Sequence, residues 1–235
     1  MKRYLLTFSF VIALIPGYAQ DRFSISLGTG LGVYQMADLK LFEENSRSPN
    51  MKTIDNYPPY FFWSGEASMK IAKDFRVGLV YALNSTGYKA AYSDYSGKIT
   101  SEHIIKSNNA GTILGWQFWQ RNKFSLTAQL SAYYTWSELK RRYFLTFYTP
   151  FEFQKSTFKY FSQSISLTPD VKLDYRVLER LSVNLSLGYC YDFRGDLKQN
   201  SSNGNPYLPM PPNYTEPSQS DWSGLRLGLS STFHF

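Results

Sequence analysis

The feature that most constrains this chain is an alternation of apolar and polar residues that returns in segment after segment. In one stretch the odd positions are Phe161, Gln163, Ile165, Leu167, Pro169, Val171, Leu173 and Tyr175, and the even positions are Ser162, Ser164, Ser166, Thr168, Asp170, Lys172, Asp174 and Arg176. Successive side chains of a β-strand point to opposite faces, so this pattern predicts a strand with one apolar and one polar face. In the next stretch Leu181, Val183, Leu185, Leu187, Tyr189, Tyr191 and Phe193 oppose Ser182, Asn184, Ser186, Gly188, Cys190, Asp192 and Arg194. In the last, Leu225, Leu227, Leu229, Phe233 and Phe235 oppose Gly224, Arg226, Gly228, Ser230, Thr232 and His234.

The same reading upstream gives strands at roughly 22–36, 61–72, 75–88, 104–120 and 123–138, the fourth being the least regular. That makes eight. The links at Lys73-Asp74, Arg121-Asn122 and Val177 to Arg180 are tight. Those at 37–60, 89–103, 139–157 and 195–221 are long and polar. Short turns on one side and long loops on the other are the signature of a transmembrane barrel, and an even strand count returns both termini to one side. The predicted fold is all-β: an eight-stranded antiparallel up-and-down transmembrane β-barrel, one domain over residues 20–235.

A soluble ligand-binding barrel also alternates, but with its apolar face inward. Two details favour lipid outside. The polar faces are rich in Gly, Ser and Thr, which suits a crowded narrow lumen, and the apolar faces are bulky and edged by Tyr, Trp or Phe. Composition agrees: 18% of residues are aromatic, with 19 Tyr and 18 Phe against five Trp. A mean hydropathy of −0.34 fits a barrel, which shows lipid only every second strand residue.

Residues 1–19 read as a secretory signal: Lys2 and Arg3, an apolar run from Leu5 to Ile15, Pro16, then small Gly17 and Ala19 before Gln20. The run is too short for a permanent spanning helix, which needs roughly 20 apolar residues. The formal charge of +7 falls to +5 without Lys2 and Arg3 and is spread along the chain, giving no support for nucleic-acid binding. The single Cys190 excludes an internal disulfide and a multi-cysteine metal site.

The ending LGLSSTFHF resembles the C-terminal signature of outer-membrane barrels, with aromatic Phe233 and a final Phe235. The mature chain as a whole is similar to the small porin-like and OmpA-like barrels of Gram-negative bacteria, of the Bacteroidota type. The resemblance implies an outer-membrane address, outer-membrane lipid around the barrel, and recognition of Phe233 and Phe235 by the barrel-assembly machinery.

The inward parity carries a candidate charge network: Glu66, Lys70, Arg76, Asp170, Lys172, Asp174, Arg176, Asp192, Arg194 and Arg226. Acids and bases packed in a narrow lumen must pair, because an isolated buried charge costs several kcal/mol. A salt-bridged plug is expected, with a gated ion path or small solute channel as the alternative. Only His103 and His234 offer imidazoles. Lipid-modifying barrels place a Ser, a His and an acid at the outer edge, and Ser101-Glu102-His103 invites that comparison. Strand neighbours alternate faces, however, so Glu102 does not orient His103, and the position two beyond holds Ile105. No cofactor, metal or catalytic residue is expected. The expected function is non-enzymatic: envelope structure or loop-mediated binding, with a lipid-modifying hydrolase as a further alternative.

Overall fold

The computed structural model describes residues 22–46, 50–148, 151–199 and 217–235; the predicted signal and most of the predicted fourth loop lie outside them. The strands are β1 (Phe23–Gly32), β2 (Lys52–Asn56), β3 (Tyr60–Lys70), β4 (Phe75–Ser93), β5 (Gly97–Arg121), β6 (Phe124–Tyr148), β7 (Phe151–Leu178), β8 (Leu181–Asp192), β9 (Gly195–Asp196), β10 (Gln219–Ser220) and β11 (Gly224–His234). Among the described residues one helix, α1, covers Ala37–Ser46. Every neighbouring pair in the ring β1–β3–β4–β5–β6–β7–β8–β11 is antiparallel, and β11 closes on β1 with Ile25 opposite Phe233. The eight-stranded barrel is therefore as the alternation predicts.

No described helix is long and apolar enough to cross a membrane; the strands do so instead. Their outward residues form a continuous apolar belt. Leu79 is 67% exposed and Leu229 54% exposed, alongside Leu27, Leu130, Ile165 and Leu187. Exposed leucines on this scale have no place in water, and they are what a lipid-facing wall requires. Rings mark both margins. Phe75 stacks on Trp116 and Phe124 lies against Tyr175 at the end that holds the termini, and Tyr81, Tyr134 and Trp136 cluster toward the far end.

The predicted fourth strand is irregular because β5 bulges against β6 between Gln117 and Trp119. The extra residue lets Trp116, Phe118 and Trp119 all face outward. Pro169 has no N–H to donate, and the β7–β8 ladder is interrupted between Leu167 and Asp170.

Two of the expected long loops are corrected. Residues 89–103 and 139–157 are largely strand: β4 and β5 run on to a tight turn at Asp94–Ser96, and β6 and β7 continue to Tyr148 and from Phe151. The pattern there is hidden because its sense reverses. Above the belt Lys89, Lys106, Lys140 and Lys159 face out, whereas Tyr88, Ile105, Leu139 and Tyr160 are buried inside. The link 37–60 is also structured. Met36, at φ 46°, turns the chain into α1, which buries Leu39, Phe42 and Glu43 at i, i+3 and i+4, and β2 pairs with β4. The return segment pairs β9 with β10, so the fourth loop does contribute two short strands.

Candidate functional site

The interior is stacked in layers. Nearest the termini, hydroxyls and amides bond across strands: Ser24 with Ser68 at 2.8 Å, Ser182 with His234 Nε2 at 2.7 Å, and Asn184 donating to Thr232 Oγ1 at 2.8 Å. Lys70 and Arg176 stand half-buried at this rim.

Above them sits the charged layer. Lys172 Nζ donates to both carboxylate oxygens of Glu66 at 2.7 and 2.6 Å, and Gln129 adds a bond to Glu66 at 3.4 Å. Thr127 and Ser125 donate to Asp174, on which the cations Arg76 and Lys172 act. Gly115 makes room for Arg76: a Cβ there would lie 2.7 Å from the arginine Cγ. The guanidinium of Arg226 lies 6.0 Å from the Phe62 ring centroid, and a Cβ at Gly30 would collide with that same ring at 2.6 Å. Arg226 Nε, Asp170 Oδ1 and Thr168 Oγ1 have no protein partner and line one cavity of about 50 Å³. That volume suits water bridging polar groups. It is far too small for solute passage.

Higher still, Asp192 accepts from Ser164 Oγ at 2.7 Å and from the Trp222 amide at 3.0 Å, tying the return segment to β7 and β8. Arg194 departs from the predicted inward set. β8 ends at Asp192, the chain turns at Arg194 with φ 48°, and its half-exposed side chain meets Asp221 at 3.3 Å. Eight of the ten predicted residues thus stand around one lumen column, Asp192 joins its upper end, and Arg194 lies outside it.

The far mouth is closed by an apolar core that sequence reasoning missed. Met36 and Leu39 of the α1 region pack with Ile105, Leu139, Leu197 and Trp222, all essentially inaccessible. Trp222 Nε1 donates to Ser137 at 2.8 Å, and its ring meets Tyr34 edge-on.

Beside this core lies a polar cluster anchored on His103. Its Nδ1 is 2.5 Å from Glu43 Oε1, and its Nε2 is 3.0 Å from Ser101 Oγ and 3.4 Å from Arg141 Nε. Arg141 is always a donor, so Nε2 must accept and Nδ1–H must donate to Glu43. Burial holds the imidazole pKa below its ordinary value, opposed by the bond and charge of Glu43. Glu102 faces outward and pairs with Arg142 at 3.5 Å, as strand alternation requires. The acid for His103 comes instead from a helix sixty residues away, a pairing that no local spacing reveals.

No protein-family model matches the chain, and no curated protein does. Solved structures do resemble it. Neisserial surface protein A is 14% identical, with TM-score 0.40, covering 92% of this chain and 99% of that one. OprG from Pseudomonas aeruginosa is 13% identical, with TM-score 0.48, covering 92% and 97%. Ail of Yersinia pestis is 12% identical, with TM-score 0.36, covering 91% and 99%. OprG is an outer-membrane protein, and at these identities the likeness is one of fold alone.

Proposed function

We propose that the protein is a closed, non-conducting outer-membrane barrel that acts through the half it projects beyond the membrane, toward the cell exterior. The observation that carries this reading is the double closure of the lumen. The Glu66–Lys172 pair crosses the charged layer, and the α1-capped core fills the mouth above it. A solute channel would need both to move. The projecting β6–β7 hairpin displays Phe147, Tyr148, Phe151, Phe153 and Phe158 on its surface, with Lys155 over the Phe144 ring at 5.6 Å. Rings of this kind suit contact with a partner protein or glycan. Phe233 and Phe235 meet edge-on, ring centroids 4.8 Å apart, at the end of the closing strand, where an assembly machinery reading the terminal strand would find them. Purified protein in planar bilayers is expected to show no single-channel steps. Steady conductance that changes in Lys172→Ala would overturn the reading in favour of the channel.

A second reading has one specific observation behind it. Ser101 Oγ, His103 and Glu43 form a hydrogen-bonded chain in the order and tautomer of a hydrolase nucleophile, base and orienting acid. Against it, Ser101 is buried and Arg141 competes for the same imidazole nitrogen. Covalent labelling by a fluorophosphonate that disappears in Ser101→Ala and in His103→Gln would establish the hydrolase. Absence of labelling would leave the cluster as the anchor of α1.

A further inference from the structure

The first charged residues above the belt are arranged in a way the barrel alone does not explain. On β6 the outward series runs Tyr134, Trp136, Glu138, Lys140, Arg142, and on β7 it runs Ile165, Gln163, Phe161, Lys159. Lys140 and Lys159 stand directly opposite each other across the β6–β7 ladder. Like charges in that position repel, and natural sheets avoid them. The neighbour of Lys140 on its other side is Ile104. Among the described residues no carboxylate comes within ion-pair distance of Lys140. Lys159 reaches Glu138 at 3.5 Å, but both side chains are about half exposed, and such pairs contribute little. The ladder therefore presents a pair of cations with one half-exposed carboxylate, Glu138, below them opposite Phe161.

Their height identifies what lies opposite. Lys140 is two outward positions beyond Trp136, and Lys159 one beyond Phe161. These rings form the upper margin of the belt, and at roughly 3.3 Å per residue the ammonium groups reach the headgroup layer. Below the two lysines the outer wall carries a groove of about 1000 Å³ that takes in Tyr134, Trp136 and Phe161 of this ladder and, at its far side, Arg194, Asp196 and Lys198; neither Lys140 nor Lys159 lines it.

We propose that the Lys140–Lys159 pair binds the phosphate of an anionic lipid in the facing leaflet, with the acyl chains lying over Trp136 and Phe161. A phosphate monoester carries close to two negative charges and several acceptor oxygens, so one group satisfies both ammonium ions and removes their repulsion. The exposed rings of Trp136 and Phe161 below the charges select a phosphate that comes with a hydrocarbon chain over a free one. The proposal rests on the transmembrane reading of the belt and is independent of the closed lumen.

The test uses the full mature protein in dodecyl maltoside, offered phosphatidic acid or phosphatidylcholine of the same chain length, with retained lipid counted by native mass spectrometry. Two lysines at a lipid surface predict a preference for phosphatidic acid of roughly tenfold or more. The double variant Lys140→Gln/Lys159→Gln should lose that preference, whereas Lys52→Gln/Lys98→Gln, opposite Ala91 and Ser93 and farther from the belt, should keep it. A second readout separates binding from mere folding. In lipid-free detergent Lys140→Gln should raise or leave unchanged the unfolding midpoint, because repulsion is relieved, yet it should cancel the stabilisation that phosphatidic acid gives the wild type. No preference in the wild type, or an undiminished one in the double variant, overturns the proposal. Displacement of the lipid by excess inorganic phosphate overturns the lipid assignment in favour of a free anion. A protein that stays dispersed without detergent would instead remove the transmembrane reading beneath it.

Discussion

The two halves of this barrel solve the same problem with opposite solvents. In the half that carries the termini, Leu185 and Leu227 face out and Asn184, Lys172 and Asp174 face in. In the far half β5, β6 and β7 turn Lys140 and Lys159 outward and bury Leu139, Ile105 and Tyr160. Nothing changes in the backbone between them: β6 is one unbroken strand of 25 residues. What changes is the medium outside the wall. Where it is hydrocarbon, the polar face has to turn inward and satisfy itself, which it does through hydroxyls, amides and the Glu66–Lys172 pair. Where it is water, the wall can bury an ordinary hydrophobic core, and α1 comes in to complete it. Strand pairing therefore gives the barrel its shape in both halves, while the source of interior stability differs.

The sharpest way to break this contrast is to remove one member of the inner ion pair. Glu66→Ala leaves Lys172 buried with Asp170 and Asp174 as its nearest acids, and it should cost about 3–5 kcal/mol, as unpairing a buried charge does. Lys172→Met on that background should recover part of the loss, because the ammonium that lost its bidentate partner is then gone, while Asp174 keeps Arg76 and its hydroxyl donors. Urea unfolding from lipid vesicles measures both. A cost below about 1 kcal/mol for Glu66→Ala would mean that the lumen is as wet as a surface.

The next test exchanges the media. Leu185→Arg, on the belt, is expected to lose about 2–4 kcal/mol if the residue meets mid-bilayer lipid. The matching outward position in the far half, Lys140, should accept either charge or amide with little loss. Equal tolerance at the two positions would remove the boundary between the halves.

How much of this was legible in the sequence follows the same boundary. From Phe161 to Tyr175 the apolar residues face lipid, the alternation is clean, and both the strand and the inward parity of Asp170, Lys172 and Asp174 can be read from it. Beyond Trp136 the parity of Leu139 is inward and that of Lys140 outward, so a reader looking for apolar-out strands sees the pattern fail and expects a loop. The misreading concerned the solvent. The α1 stripe of Leu39, Phe42 and Glu43 is too short to stand out, and its meaning depends on a mouth that only the closed barrel creates. Parity correctly separated Glu102 from His103 but could not supply Glu43, which reaches the imidazole through tertiary packing. Arg194 was lost to a turn: alternation extrapolated one step past Asp192, where a positive φ takes the chain out of the sheet.

The His103 cluster allows the smallest and most selective test, since it loads only the far half. Its imidazole is neutral when folded, because Arg141 donates to Nε2 and burial lowers its pKa below the ordinary 6.5. Glu43 and, from the outer face, Glu102 pull the other way without overcoming burial. Tyr57 and Tyr143, pushed up chiefly by burial, stay protonated throughout. With the folded pKa depressed, the unfolded mouth takes up a proton first as pH falls. The contribution of His103 is therefore complete above about pH 6.5 and is lost as pH drops from there toward the folded value. Protection factors of the α1 amides, taken against intrinsic exchange at each pH, should fall over that window in the wild type, while those of β8 at the belt should not respond. In His103→Gln that fall should flatten, since the amide can still face Glu43 but takes no proton. A pH response shared equally by α1 and β8 would show that the two halves open as one unit and that the reversal of solvent along β6 does not divide the barrel energetically.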